Sequence, residues 1–355
     1  MKKFILATGI RPNIMKAYPL YKYMKLNNID VKWVHSGQHK DNFMFSDVLP
    51  NLPKIDNLNI DGSKGSGYRL GEMIKAFSLY LKNNKADYVI VFGDGDSTLA
   101  VSLAANKENI DIVHVESGLR SFDKNMPEEY NRILTDNLSK ILLVSEPSGI
   151  LNLKVEGLFS KNTHLVGNIM IDCFQLFRDN ISKSKIMKSL PRKFVLFTIH
   201  RKSNLIEGKL KYILKLINII KKNNMNIVFP LHPHTKKVLK QFNLLDTFKK
   251  NCFLIDALPY IDFMKLLENA NAVITDSGGI QEEASVLNIP CLTLRDNTER
   301  PMTLFHGTNQ LVTNENEFKR ALNCIIKGQW KYGQVSGLWD GKTALRITAI
   351  LEMIK

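Results

Sequence analysis

The sequence predicts an α/β protein made of two Rossmann-like, doubly wound parallel-sheet domains facing a central cleft. Three observations predict it. Short apolar runs alternate with longer amphipathic segments, the pattern of βαβ units with helices on both sheet faces. Eleven such runs are too many for one compact sheet, and 355 residues suit two domains. Polar and ionisable residues, often beside glycine, recur just after the runs, where open parallel sheets bind ligands.

The first six strands are expected at FILATG (4–9), VKWVHS (31–36), YVIVFG (88–93), DIVHVE (111–116), ILLVSE (141–146) and HLVGN (164–168). The second series is FVLFTIH (194–200), NIVFPLH (226–232), CFLID (252–256), AVITD (272–276) and PCLTLR (290–295). Helical period marks 67–85, 207–222 and 314–327. The domains are expected to divide after Gly167-Asn168, giving 1–168 and 169–337. The last stretch, 338–355, reads as a helix that returns to the first domain.

Composition narrows the function classes. The chain is 44% hydrophobic and 23% charged, as in globular proteins. No apolar run approaches the roughly 18 residues of a membrane span, so no membrane partner is expected. The opening MKKFILATGIRPN has an apolar run too short for a signal peptide, and it ends in Arg11-Pro12. It reads as a first strand. Cys173, Cys252, Cys291 and Cys324 are far apart without metal-type spacing, which fits reduced core thiols of a cytoplasmic protein and no metal site. The net charge of +15 invites a nucleic-acid reading, but the lysines lie scattered beside asparagines and no nucleic-acid module is visible. No nucleic-acid partner is expected. A positive field does favour a small anionic ligand.

The strand ends carry the chemistry. After the first run come Gly9-Ile10-Arg11-Pro12 and, one turn into a helix, Lys16. Gly37-Gln38-His39 follow the second, Gly93, Asp94 and Asp96 the third, and Glu116, Gly118 and Arg120 the fourth. In the second half the corresponding residues are His200-Arg201, His232-Pro233-His234, Asp276-Ser277-Gly278-Gly279, and Arg295 with Glu299-Arg300. Each alone could be a helix cap or a turn. Their recurrence on one edge of both sheets points to a binding cleft. On that reading DIVHVESGLRS (111–121) is a buried strand whose final residues, His114, Glu116 and Arg120 among them, line the cleft.

ITDSGGIQEEA (274–284) joins a strand to a helix through Ser277, Gly278 and Gly279. Unpaired N–H groups at that helix start suit a diphosphate, although a plain capped turn would look the same. Glu283, a turn further on, either accepts from ribose hydroxyls or is a first-turn acid. Asp94, Glu116, Glu128 and Glu129 gather carboxylates in the first half, with His200 opposite in the second. Crowded carboxylates raise one another's pKa values, which suits proton transfer at carbon. Arg11, Lys16, Arg120 and Arg132 can offset the charge. Capping remains an alternative for Asp94 and Glu116, a first-turn acid for Glu128 or Glu129, and an ordinary strand-edge residue for His200.

Nine blocks then fall in order: GIRPNIMK (9–16), SGQH (36–39), FGDGDST (92–98), HVESGLRS (114–121), MPEEYNR (126–132), TIHRKSN (198–204), HPHT (232–235), DSGGIQEEA (276–284) and LRDNTERP (294–301). On these, over nearly its whole length, the chain resembles the non-hydrolysing UDP-N-acetylglucosamine 2-epimerases, which have a GT-B fold. The resemblance implies interconversion of UDP-GlcNAc and UDP-ManNAc, by anti-elimination of UDP to 2-acetamidoglucal and re-addition, with no cofactor. It implies Asp94, Glu116, Glu128 and His200 as the catalytic set, with Lys16 and Arg132 beside them. Arg11, Ser277, Gly278, Gly279 and Glu283 become UDP contacts, with Phe263 near uracil, and His232 and Arg300 complete the expected binding set. A cytoplasmic homodimer feeding surface-polysaccharide synthesis is also implied. The chain departs from many relatives at Asn13, Gly95-Asp96, Ser203 and Met302. These departures leave the sugar open. The alternatives are a 2,3-diacetamido or 6-deoxy UDP-sugar, a hydrolysing epimerase (against which GIRPN argues), a GT-B glycosyltransferase, or a silent nucleotide-sugar sensor.

Overall fold

The computed structural model describes residues 2–37, 49–50, 52–61 and 65–354. Gln38 and His39 lie outside the described residues. The chain divides into two compact units, Met1–Leu176 with Ser336–Lys355, and Phe177–Val335.

In the first unit, β1 (Lys3–Thr8), β2 (Asp30–His35), β3 (Asp56–Asn57), β4 (Tyr88–Phe92), β5 (Asp111–Ser117), β6 (Ile141–Val144) and β7 (Thr163–Leu165) form one parallel sheet. Their order is β3-β2-β1-β4-β5-β6-β7. The helices are α1 (Arg11–Leu26), α2 (Ser66–Asn83), α3 (Asp96–Lys107), α4 (Pro127–Leu138), α5 (Pro147–Val155), α6 (Ile169–Leu176) and a C-terminal helix, Thr343–Met353. Strands covered on both faces read as continuous apolar runs, and all five residues of β4 are buried. Ile5, Val34, Val89 and Val91 pack there against Phe77 of α2 and Ala100 and Ala104 of α3.

In the second unit, β8 (Phe194–Thr198), β9 (Asn226–Leu231), β10 (Phe253–Asp256), β11 (Ala272–Thr275), β12 (Cys291–Thr293) and β13 (Asn309–Leu311) form a parallel sheet in the order β10-β9-β8-β11-β12-β13. Its helices are α7 (Arg178–Lys183), α8 (Glu207–Lys222), α9 (Pro233–Gln241), α10 (Leu245–Asn251), α11 (Tyr260–Asn269), α12 (Gly278–Val286), α13 (Pro301–Phe305) and α14 (Glu315–Ile326). Phe197 and Phe229 meet edge to face at 5.1 Å, beside Phe248, Ile213 and Ile217.

The sheets hold two strands beyond the eleven expected. β3 has only two residues, both polar, and β13 has three, of which only Leu311 is apolar, so neither shows an apolar run. The unit boundary falls at 176 rather than 168, because α6 packs on α1 and on the C-terminal helix. Asp172 of α6 accepts from the Ala344 N–H at 2.6 Å, at the start of that helix. Trp339 donates to the Ser145 carbonyl at 3.0 Å and Arg346 to the Val166 carbonyl at 2.7 Å. Gly167 has φ +95°, and a Cβ there would stand 2.1 Å from the Leu338 carbonyl oxygen. The C-terminal helix begins at Thr343, not 338, because Gly341 has φ +76° and Asp340 turns back to the Lys342 N–H.

Each sheet reverses its winding direction once, between β1 and β4 in the first and between β8 and β11 in the second. These switch points open a crevice at the carboxyl ends of the strands.

Candidate active site

At the first switch point α1 leaves β1 with Arg11 in its opening turn, half-buried, and Lys16 one turn further on, buried. The Lys16 ammonium forms a short buried ion pair with Glu116, from the end of β5. Glu116 has φ +75°, a left-handed conformation that a side chain with a Cβ adopts only under constraint. A register shift between Val115 and Ser117 makes room for it. The capping reading of Glu116 therefore falls: its carboxylate meets a lysine across a hundred residues of sequence. Gly93, at φ +64°, lies against this pair. A Cβ on it would be 3.1 Å from Lys16 Nζ and 3.5 Å from Glu116 Oε2.

The next residue, Asp94, is half-buried and takes Arg132 Nε and Nη2 on one carboxylate oxygen, at 3.0 and 2.7 Å. It caps nothing; the N-cap of α3 is Gly95. Asn131 donates to the Asp94 carbonyl at 2.9 Å and to Asp96 at 3.3 Å, and Asp96 pairs with Arg69 at 2.7 Å. The expected mutual repulsion of carboxylates is thus met by a cation on each of Asp94, Asp96, Glu116 and Glu129.

Helix α4 separates the two glutamates that the sequence left equivalent. Glu129 is buried and accepts from the Ser121 and Phe122 N–H groups, at 2.8 to 3.0 Å, and from Arg132. It clamps the loop between β5 and α4. Glu128, half-buried on the same first turn, takes no part in that clamp.

Two residues expected to line the cleft do something else. His114 is 0% exposed within β5, bound to Asp136 at 2.6 Å and to the Gly93 carbonyl at 2.8 Å. Arg120 donates to Glu156 through Nε and Nη2, and Nη2 also meets Asp136 at 2.7 Å. Its buried guanidinium is committed to Asp136 and to Glu156, whose side chain is partly exposed. Of the trio in HVESGLR only Glu116 joins Lys16.

At the second switch point His200 follows β8 and Asp276 follows β11. The His200 ring Nδ1 lies 3.1 Å from Asp276, and the ring is 47% exposed. Asp276 is buried and also accepts from the His200 and Arg201 backbone N–H groups and from Asn204, at 3.0 to 3.1 Å. Burial works against its charge. His200 first, then Asn204 and the Arg201 N–H, nevertheless hold the carboxyl below its ordinary range. Nδ1–H donation to this carboxylate orients the imidazole and presents Nε2.

Ser277 precedes α12, and its side chain makes no cap bond; its N–H goes to the Thr275 hydroxyl at 3.0 Å. A Cβ on Gly278 would stand 2.6 Å from Glu299 and 3.0 Å from Arg300 Nε. A Cβ on Gly279 would meet nothing within 4 Å. One glycine is required by its neighbours; the other faces open space at a helix N-terminus, which suits an anion. Arg300 is buried and pairs with Glu282 of α12, with Glu299 at 3.7 Å. Glu283 is buried on the same helix. His232 caps α9 by accepting the His234 N–H at 3.2 Å and is exposed, and Phe263 is half-buried on α11. Among the described residues, no group of three or more His, Cys, Asp or Glu is disposed to hold a metal ion.

Sequence reasoning missed the anchoring roles of Asp276, Asn204, Asn131 and Asp136. A signal existed in α4: Glu129, Arg132 and Asp136 recur at one helical face, and that face is turned inward.

Two doubly wound units with acid–cation pairs at one switch point and a glycine-led helix start at the other define a class, the two-domain α/β enzymes of GT-B type. A family model described as UDP-N-acetylglucosamine 2-epimerase matches residues 22–352. A UDP-N-acetylglucosamine 2-epimerase of Methanocaldococcus jannaschii is 39% identical over 98% of both chains. A solved structure of the M. jannaschii enzyme, in complex with UDP-GlcNAc and UDP, superposes with a TM-score of 0.90 at 38% identity, over 99% of both chains. A UDP-2,3-diacetamido-2,3-dideoxy-D-glucuronate 2-epimerase of Pseudomonas aeruginosa is 37% identical over 87% of this chain and 88% of its own. The chain belongs to the UDP-N-acetylglucosamine 2-epimerase family, isomerases of nucleotide sugars.

Proposed function

We propose that this protein interconverts UDP-GlcNAc and UDP-ManNAc at C2, by elimination of UDP and re-addition, without hydrolysis. The observation that carries the reading is the buried Lys16–Glu116 pair one residue from Asp94, at the switch point of a chain that matches the family from end to end. Glu116 and Asp94 are the acids positioned for C2, with Glu128 assisting. One carboxylate takes the C2 proton as the C1–O bond breaks, and UDP leaves with the bonding pair. A proton then returns to the opposite face of the glycal, and the phosphate oxygen re-forms the bond to C1. The partner cations Lys16 and Arg132 keep each carboxylate in place. His200, oriented by Asp276, and the open helix start at Ser277, Gly278 and Gly279 hold the departing diphosphate. Arg11, Glu283, Arg300, His232 and Phe263 are assigned to the nucleotide and sugar. A cytoplasmic homodimer feeding polysaccharide synthesis completes the reading.

The test is incubation with UDP-GlcNAc in D2O, followed by proton NMR. UDP-ManNAc carrying deuterium at C2, with no free sugar, is expected. Release of free ManNAc, or no exchange, overturns the proposal. A second reading, a diacetamido uronate substrate, is favoured by the P. aeruginosa relative. Exchange with that sugar and none with UDP-GlcNAc would select it.

A further inference from the structure

His114 is buried away from solvent, and both ring nitrogens meet acceptors: Nδ1 the Asp136 carboxylate at 2.6 Å, Nε2 the Gly93 carbonyl at 2.8 Å. A carbonyl oxygen only accepts. The other oxygen of Asp136 already takes the Gly118 N–H at 3.0 Å and Arg120 at 2.7 Å, which suits an ionised carboxylate. A neutral imidazole has one N–H and one lone pair, so it would set a lone pair against an acceptor in a dry interior. We infer that these two contacts hold His114 as an imidazolium and make it a positioning residue, fixing the ends of β4 and β5 on which Asp94 and Glu116 stand. The positioning half of this rests on the proposed epimerase reaction; the protonation half does not.

The charge balance supports it. His114 and Arg120 carry two positive charges, Asp136 and Glu156 two negative, and the cluster closes on itself with no net charge. Burial resists ionisation of Asp136, and His114 first, then Arg120, hold its carboxyl low. The cluster grips two backbones at once. Through Nε2 the imidazolium holds the carbonyl of Gly93, the left-handed residue before Asp94, where an added Cβ would stand 3.1 Å from Lys16 Nζ and 3.5 Å from Glu116 Oε2. Through Asp136 it holds the N–H of Gly118, two residues beyond Glu116, whose own φ is +75°. The strand ends beside Glu116 are thus tied to one ring, Gly93 directly and Gly118 by way of Asp136.

The test has two arms. In slightly alkaline buffer, where an ordinary imidazole is neutral, histidine-labelled protein is read by nitrogen-15 NMR. The His114 signals are assigned by their loss in His114→Gln or, if that variant does not fold, by their displacement in Asp136→Asn. Two protonated ring nitrogens are expected; one bare nitrogen overturns the inference. In the second arm, folded His114→Gln, which keeps at most one of the two donors, and Asp136→Asn are assayed with UDP-GlcNAc. Turnover should fall about 100-fold, as for a small misplacement of reacting groups, while KM and UDP affinity stay within about threefold. Unchanged turnover in both folded variants overturns the positioning role. A wild-type protein inert toward UDP-GlcNAc would sink the epimerase reading instead, and the NMR arm would still decide the protonation state.

Discussion

Arg132 sends two N–H groups of one guanidinium to a single oxygen of Asp94, at 3.0 and 2.7 Å, while its remaining nitrogen pairs with Glu129. One buried arginine therefore ties an acid of the site to the clamp on the loop 121–122. Lysine cannot reproduce that fork.

Asp94→Asn and Glu116→Gln keep shape and remove a base. Turnover with UDP-GlcNAc should fall by about 100-fold to 10,000-fold in each, the range for a lost general acid or base. UDP affinity by calorimetry should stay within about threefold. A near-normal rate in either variant removes that residue from the chemistry.

The two glycines of α12 should part company. Gly279→Ala fills open space, so UDP should bind more weakly while the melting temperature holds. Gly278→Ala meets Glu299 and Arg300 and should lose about 1–3 kcal/mol of stability. Thermal unfolding with and without UDP separates the two outcomes. An equal loss of stability in both would refute the distinction.

Asp276 accepts from donors on three residues, and an amide oxygen cannot replace both carboxylate oxygens. Asp276→Asn should cost about 1–3 kcal/mol at neutral pH. Because the folded pKa is depressed, this contribution is present above the ordinary carboxylate range and lost as pH falls. The gap between wild type and variant should therefore narrow toward low pH. A gap that widens there would reverse the assignment.

Asp172 behaves in the opposite sense. Burial, chiefly, pushes its carboxyl up to about 6, although the Ala344 N–H favours the charged form. A raised acid favours the folded state below the unfolded pKa and loses that advantage as pH rises through about 6. Asp172→Asn keeps an acceptor for Ala344 and removes the buried charge. It should stabilise the protein at neutral pH, by at most about 3 kcal/mol for a carboxyl raised to about 6, and do nothing below about pH 4. Denaturant titrations at two pH values check it.

What the sequence revealed followed from burial. Strands covered on both faces announce themselves as apolar runs, and β4, YVIVF, was legible for that reason. β3, Asp56-Asn57, and β13, opening on Asn309, carry no such run and appear only through their partners. In α4 the usual rule inverts. Tyr130 and Leu134 face solvent while Glu129, Arg132 and Asp136 face inward, so its polar stripe looked like surface. The site acids were visible as residues at strand ends. Their partners were not, because Lys16 and Glu116 stand a hundred positions apart and nothing local links them. Nor could spacing separate Glu128 from Glu129; only the bonds to Ser121 and Phe122 do.

The most direct measurement is positional isotope exchange in UDP-GlcNAc labelled with oxygen-18 at the bridge between C1 and the β-phosphate. If UDP departs and returns, the label must scramble into the non-bridging β-phosphate positions while C2 exchanges with solvent. Exchange at C2 with the label held in the bridge through many turnovers would contradict the elimination on which the proposed reaction is built.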